Sequence, residues 1–344
     1  MERRFTPRGL MRGLTLALVT AFAFLPAAAM AATLTVAADG SAAYRTLGAA
    51  IEALPADGGE IRLKPGEYRE KLRVEKPNVR LIGLGKKPED VVLVWGDSSA
   101  MAGGTGKSAS ITVVADGFVA HNLTIQNDYS KKSAVPSQAV ALYVTGDRAV
   151  FDTVRFLGAQ DTLYAASNCR PNGSDACHDS RQYFRNCYVE GHVDFIFGDA
   201  RAFFDRCHIH TLPNAGGAMI TAHSRSVAAQ KSGYVFDHAT ITAEPGTYPI
   251  WLGRAWRDYA TVIFLDTDIR APLQPQGWRE WTPGKSETFK TATYAERGSH
   301  GPGAGKPSDR ASVTKQLTAE EAKAWSKEAL LSSPDGWAPW KMRF

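Results

Sequence analysis

Short runs of β-branched and aromatic residues recur along the chain between Gly, Asn and Asp, as at Ile61-Arg62-Leu63, Val91–Trp95, Ile111–Val114 and Ala139–Val144. Apolar positions concentrated over so few residues, with turn formers at both ends, predict β-strands, and helical periods are scarce between them. Two stretches do read as helices. One lies near Tyr44–Leu54. The other spans about Ala319–Leu331 and opens on Thr318 and Glu321, spaced so that each side chain can cap the other's backbone N–H.

Six strand runs share one pattern: apolar, any, any, small, any, apolar. It occurs at Ala120–Ile125, Phe151–Phe156, Phe184–Val189, Phe204–Ile209, Phe236–Ile241 and Phe264–Ile269, with starts 31, 33, 20, 32 and 28 residues apart. A constant strand separated by loops of variable length is what stacked coils of a solenoid require. An antiparallel sandwich would show a series of hairpin turns instead, and none is evident. The expectation is an all-β solenoid.

Register has two consequences. Cys187 and Cys207 both occupy the small position, across the shortest coil. Equivalent positions of stacked coils lie ~4.8 Å apart, within the Cα separation a disulfide tolerates, so a Cys187–Cys207 bond is expected. Asp161 follows Phe151 by ten residues and Asp194 follows Phe184 by ten. In-register coils would bring both aspartates to one face. Two close carboxylates in a cleft can divide into an acid and an anion, because like charge raises one pKa. Asp is also a common turn residue, and register alone leaves both readings open.

Arg3, Arg4, Arg8 and Arg12, an apolar run from Leu14 to Leu25, and Ala29-Met30-Ala31 have the form of a secretory signal peptide cut after Ala31. The apolar run is shorter than the ~20 residues of a bilayer span, so no membrane anchor is expected. Removing residues 1–31 takes four of the 40 basic residues and one of the 35 acidic ones, so the formal charge falls from +5 to +2. The basicity therefore belongs largely to the leader and does not support nucleic-acid binding. The expected destination is extracellular, with the periplasm as the alternative. Four cysteines in an exported chain favour disulfides over metal ligation, since their spacing is not that of a zinc site. No metal or cofactor is expected.

Around the aspartates the chain resembles the pectin methylesterase family. Five segments carry the likeness in order: Gly66-Glu67-Tyr68-Arg69-Glu70, Gln138-Ala139-Val140-Ala141-Leu142, Gln160-Asp161-Thr162-Leu163, Asp194-Phe195-Ile196-Phe197-Gly198 and Leu252-Gly253-Arg254-Ala255-Trp256. The resemblance implies a right-handed parallel β-helix forming one catalytic domain over 32–344, acting as a monomer on pectin. It implies Asp194 as nucleophile, Asp161 as general acid/base, Gln138 and Gln160 as oxyanion donors, Arg254 as the cation orienting Asp194, and Trp256 as a sugar-stacking residue. The chemistry suits these types: a carboxylate attacks the methyl-ester carbonyl, neutral amides steady the oxyanion, and methoxide leaves with a proton. A guanidinium beside Asp194 is expected to lower its pKa.

Trp251, Trp278 and Trp281 are expected to pack in the core. Three departures from the family pattern stand out. Ala159 replaces an aromatic before Gln160, Ser110 stands where a substrate-contacting threonine is expected, and residues 167–178 look like an insertion closed by a Cys169–Cys177 bond and forming one wall of the cleft. Among rival functions, a glycosidic hydrolase would also use paired carboxylates. A lyase would need a calcium-binding carboxylate cluster. A thioester-specific relative would need a lipid-binding apolar tract, and a purely structural or carbohydrate-binding β-helix would have no use for the aspartates.

Overall fold

The first position of the repeated motif faces inward in every coil, and the pairing is in register throughout. Ala120, Phe151, Phe184, Phe204, Phe236 and Phe264 are successive partners in one parallel ladder. So are Ile125, Phe156, Val189, Ile209, Ile241 and Ile269 at the sixth position. The computed structural model describes residues 1–2, 32–168, 180–285 and 287–344. The expected signal segment and the expected Cys169–Cys177 bond fall outside these residues.

The strand spacing of a parallel sheet, ~4.8 Å, is also a good distance between stacked rings. The five phenylalanines accordingly form a column, with centroids 4.8, 4.6, 4.4 and 4.6 Å apart and planes within 11° of parallel. All five are fully buried. Burying each ring contributes roughly 1.5–3 kcal/mol, so the column is a main source of stability.

The third motif position turns each coil. Asn122, Thr153, Asn186, Arg206, His238 and Asp266 all have left-handed backbone, with φ of 53°, 58°, 53°, 53°, 53° and 45°. Asn, Asp and His tolerate this conformation better than other non-glycine residues; β-branched Thr153 does so least well. In the later coils the bend separates two strands, as between Arg181–Arg185 and Tyr188–Gly191. The fourth position is less restricted than expected, since it also accepts Leu123 and Val154; its side chains are buried throughout.

Cys187 and Cys207 do occupy equivalent, adjacent positions, but the expected bond between them is absent: both are free, buried thiols. Each lies against backbone carbonyls instead, Cys187 Sγ 3.4 Å from Phe151 O and Cys207 Sγ 3.5 Å from Phe184 O. In-register side chains project in parallel, which keeps their Cβ atoms near the strand spacing. A disulfide draws Cβ atoms to ~3.8 Å, so Cα spacing alone was an insufficient criterion.

One face of the β-helix is an eight-stranded sheet built from one short strand per coil. Its neighbours in order are Leu72–Val74, Ile111–Val113, Leu142–Val144, Leu163–Ala165, Val193–Gly198, Ala218–His223, Ile250–Ala255 and Trp278–Arg279. The remaining paired strands form a seventeen-stranded sheet around the other faces.

Helix Leu47–Ala53 lies within the expected span, capped by Thr46, and its Leu47, Ala50 and Ile51 join the core. The Glu70 carboxylate accepts from Leu47 N and Gly48 N at 2.7 and 2.9 Å, a favourable place for an anion. The expected Thr318–Glu321 capping box forms, but the single helix does not: the segment makes two short helices, Ala319–Lys323 and Lys327–Leu330. Ser326 adopts extended backbone and caps the second helix through Ala329 N, which breaks the first.

That break fits the tail to a second row of in-register residues, the outward-facing Val119, Val150, Tyr183, Phe203, Val235, Ile263 and Ala295. Trp325, Leu330, Trp337, Trp340 and Met342 pack over this row. Buried Arg181 pins the tail, donating to Asp147 at 2.5 and 2.9 Å and to Asp335 at 2.6 and 2.8 Å. Among the described residues no helix is long and apolar enough to cross a membrane.

Phe204 stacks on Phe184 and Phe236, so Phe204→Ala should leave a cavity within the column. The expected loss is about 3–5 kcal/mol in chemical denaturation. A loss under about 1 kcal/mol would mean that neighbouring coils collapse into the space and that the column contributes little.

Candidate active site

The eight-stranded sheet sets residues in single file across its outer surface. Arg73, Thr112, Tyr143, Tyr164, Phe197, Ala222, Arg254 and Arg279 are successive register partners. A cleft of about 420 Å³ lies over the middle of this row, lined by Gln138, Gln160, Asp161, Asp194, Trp256 and Trp281 together with Thr105, Gly106, Tyr164, Phe197, Ala222 and Arg254.

Local backbone explains how the aspartates enter it. Asp161 and Asp194 occupy equivalent positions of adjacent coils, 33 residues apart like their neighbours Leu163 and Ile196, and both are left-handed, with φ of 63° and 51°. At Asp194 the register with the next strand shifts between Val193 and Ile196. Strict alternation would put residues three apart on opposite faces. The extra residue lets Asp194 and Phe197 both line the cleft while Phe195 and Ile196 both enter the core. Bulges commonly re-aim side chains in this way.

Arg254 comes from two strands further on. Gly253 beside it is held to Thr221, where a Cβ would lie 2.0 Å from Thr221 Oγ1, so only glycine fits at this approach. Arg254 donates Nε to Asp194 Oδ1 at 2.9 Å and Nη2 to Oδ2 at 2.6 Å. Its guanidinium also lies 4.2 Å from the Trp281 ring centroid. The two-point pair fixes both the position and the rotation of the Asp194 carboxylate.

The carboxyl environments differ. Burial pushes Asp161 well above the ordinary carboxylate range, the Asp194 charge pushes it further, and Arg254 offsets part of this. Asp194 is also raised by burial, but the hydrogen bonds and charge of Arg254, and then the charge of Arg279, pull it back. Arg254 thus acts in the expected direction, while desolvation outweighs it and leaves Asp194 above the ordinary carboxylate range. Asp194 remains the stronger acid of the two. Among the described residues no partner hydrogen-bonds the Asp161 carboxyl.

Gln138 and Gln160 are joined by a parallel backbone bridge, with Ala139 N donating to Gln160 O at 3.1 Å. Both line the cleft, and among the described residues neither side-chain amide bonds to protein. A ladder of side-chain hydrogen bonds between them is thereby excluded.

Ser110 does not belong to this group. It is fully buried and its hydroxyl donates to Gln126 O at 2.8 Å; the loop residues Thr105 and Gly106 form the lip instead. Trp281, expected in the core, faces the cleft 6.2 Å from Trp256, whereas Trp278 is buried against Tyr294 at 3.9 Å. Trp251 lies under Arg279. Ala159 lines a separate hollow of about 200 Å³ beside His192. Tyr164 and Phe197 went unread as site residues, although each follows a matched aspartate by three positions. Their rings stack at 4.1 Å and give the cleft an apolar floor.

Among the described residues one group has ligand-like spacing for a metal: Asp237, His238 and Asp266, with donor atoms within 4.8 Å. It lies at two coil corners and not in the cleft. Its members already pair, His238 with Asp237 at 2.8 Å and Asp266 with Arg297 at 3.1 Å.

The pectinesterase family model matches residues 33–334. Pectinesterase 31 of Arabidopsis thaliana is 33% identical over 88% of this chain and 92% of its own length. Pectinesterase 3 of Citrus sinensis is 37% identical over 78% of this chain, but the match spans only 45% of that longer protein. The solved pectin methylesterase from carrot superposes with a TM-score of 0.77 at 32% identity, covering 87% of this chain and 92% of that one. The chain belongs to the pectinesterase family.

Proposed function

We propose that the protein hydrolyses the methyl esters of galacturonan in pectin, with Asp194 as nucleophile and Asp161 as acid and base. The observation that carries this reading is the asymmetry of the pair: Asp194 is oriented and charge-stabilised by Arg254, whereas Asp161 is buried without such a partner. At a pH where Asp194 is ionised, Asp161 still holds a proton.

An Asp194 oxygen attacks the ester carbonyl, and the carbonyl oxygen gathers negative charge. The free amides of Gln138 and Gln160 are the donors available to it. Collapse expels methoxide, which takes the Asp161 proton and leaves as methanol, giving an acyl-enzyme anhydride. Asp161, now a base, removes a proton from water; the hydroxide attacks the galacturonyl carbonyl of the anhydride, the Asp194 carboxylate leaves, and the galacturonic acid formed gives its proton to solvent, which restores both aspartates. Trp256, Trp281 and the Tyr164–Phe197 stack offer apolar faces to sugar rings. An ester reading fits better than glycosidic cleavage because two neutral amides line the cleft beside the aspartates, and an oxyanion needs such donors. The same proposal takes 32–344 as one exported catalytic domain. The continuity of the ladder from Thr33 to Gln316 and the basic–apolar–small order of the first 31 residues support it.

Asp194→Asn keeps the shape but removes the nucleophile. Methanol release from methylated pectin should fall by at least about a thousandfold while the fold survives; a variant with a tenth of normal turnover would refute the assignment.

The pH profile of kcat/KM should be bell-shaped. Activity is lost as pH falls through the raised pKa of Asp194, which must be ionised, and as pH rises through the higher value of Asp161, which must be protonated. Arg254→Gln removes the group that pulls Asp194 down, so the acid limb should move to higher pH as turnover drops; an unmoved limb would show that Arg254 does not set the charge of Asp194.

Asp161 also has a stability signature. Its folded pKa lies above the unfolded value of 3.8, so the native state binds that proton more tightly and loses stability as pH rises through the folded pKa. Asp161→Asn should therefore be inactive but melt higher than the parent at neutral pH, with the gain gone below pH 3.8. Equal melting temperatures at all pH values would contradict the buried-acid assignment.

A further inference from the structure

Outside the cleft, the outer face of the seventeen-stranded sheet carries a histidine pair that the esterase chemistry does not use. Strand His208–Thr211 buries Ile209 and Thr211 and leaves His208 and His210 half-buried on its outer face, since residues two apart on a strand share a side. One ladder step on, Thr242 is the register partner of His210. Its Oγ1 lies 2.6 Å from His208 Nε2 and 2.6 Å from His210 Nδ1. Two imidazole nitrogens of one strand therefore converge on a single point.

A hydroxyl has one proton, so Thr242 can donate to one ring and must accept from the other. A divalent transition metal at the same point is held by both rings through bare nitrogens, and imidazole suits zinc, copper and nickel alike. Zinc–nitrogen bonds of about 2.0–2.1 Å ask each nitrogen to move in by only ~0.5 Å as the hydroxyl turns aside. The surroundings favour such an ion. Glu244 Oε1 lies 3.4 Å from the other nitrogen of His210, Nε2. A carboxylate there favours the tautomer that keeps Nε2–H, leaves Nδ1 bare and raises its basicity. Glu190, the register partner of His210 on the preceding coil, brings a second negative charge. Arg270, the cation of the following coil, is held by Asp268 at 2.7 Å. Tyr188 packs edge-on against His208 at 5.1 Å and lies alongside His210 at 6.0 Å, which limits how far either ring can turn. The three-residue group at Asp237, His238 and Asp266 differs in that its ligand atoms are already engaged with one another and with Arg297. At His208 and His210 the competitor is one neutral hydroxyl.

We infer that His208 Nε2 and His210 Nδ1 form a binding site for one divalent transition-metal ion of the zinc and copper class, with water completing its coordination. The inference does not depend on the pectin reading. A bound ion locks two side chains of one coil together and stabilises the folded chain in proportion to its concentration, while the aspartates stay untouched.

Calorimetric titration of tag-free protein with Cu²⁺ and with Zn²⁺ tests the site, with Mg²⁺ as the control for a cation that prefers oxygen ligands. Electron paramagnetic resonance of the Cu²⁺ form counts the nitrogen ligands. The parent should bind one Cu²⁺ per chain with hyperfine structure from two nitrogens, bind no Mg²⁺ saturably, and melt at a higher temperature in saturating Zn²⁺. His208→Ala/His210→Ala should lose the Cu²⁺ site and the Zn²⁺ effect on melting, with methanol release unchanged as the check that it folds. His238→Ala, in the other group, should bind Cu²⁺ like the parent. No saturable Cu²⁺ binding by the parent, the same affinity in the double variant, or loss of the site in a folded His238→Ala protein would overturn the inference.

Discussion

Register between successive coils is the constraint on which the rest of this structure depends. A parallel ladder holds equivalent residues ~4.8 Å apart and gives them no freedom to slide, because a one-residue slip would turn the inner face outward. Every functional or stabilising feature is then a row: the phenylalanine column inside, the apolar row beneath the tail, and the file from Arg73 to Arg279 across the cleft. The aspartate pair is a short row of two. It needs no local motif to bring its members together, since the coils that carry them are already aligned.

Much of this was legible because rows leave a period in the sequence. The spacing of Phe151, Phe184, Phe204, Phe236 and Phe264 gives the coils, and the equal offsets of Asp161 and Asp194 give their common face. What escaped the pattern depends on where a side chain points within its coil. Asn122, Asn186, His238 and Asp266 signal left-handed corners by type, but Thr153 and Arg206 conceal theirs. Ser110 stands at a position that the family pattern gives to the substrate, yet its side chain is fully buried. Cys187 and Cys207 were correctly placed as neighbours, while the parallel projection that keeps them unbonded is a property of the ladder and not of the spacing. Trp281 and Trp278 are chemically alike and only three residues apart, and only tertiary packing sends one to the cleft and the other to the core.

The site itself runs against the stability of the scaffold. Two carboxyls are buried side by side on left-handed backbone, one at a bulge, where an apolar strand would pack without strain. Arg254 relieves only one of them. A stable fold would normally avoid leaving Asp161 so poorly solvated and unpaired, and that environment is what keeps a carboxylic acid protonated beside a carboxylate. The thick core beneath, with its stacked rings, supplies the rigidity that holds such an arrangement in place.

Solenoids usually unfold piecemeal, since each coil touches only its neighbours. The tail changes that here. Residues near 340 cover a row that starts at Val119, and Phe344 stacks on His121 at 4.5 Å. Contacts spanning over 200 residues of sequence tie early coils to late chain, which raises the contact order and couples coils that would otherwise melt independently. The apolar row from Val119 to Ala295 also remains uncovered until the tail has been made. During synthesis the growing β-helix therefore presents a greasy stripe to its surroundings, and the chain gains all-or-none cooperativity at the expense of a late, exposed step in folding.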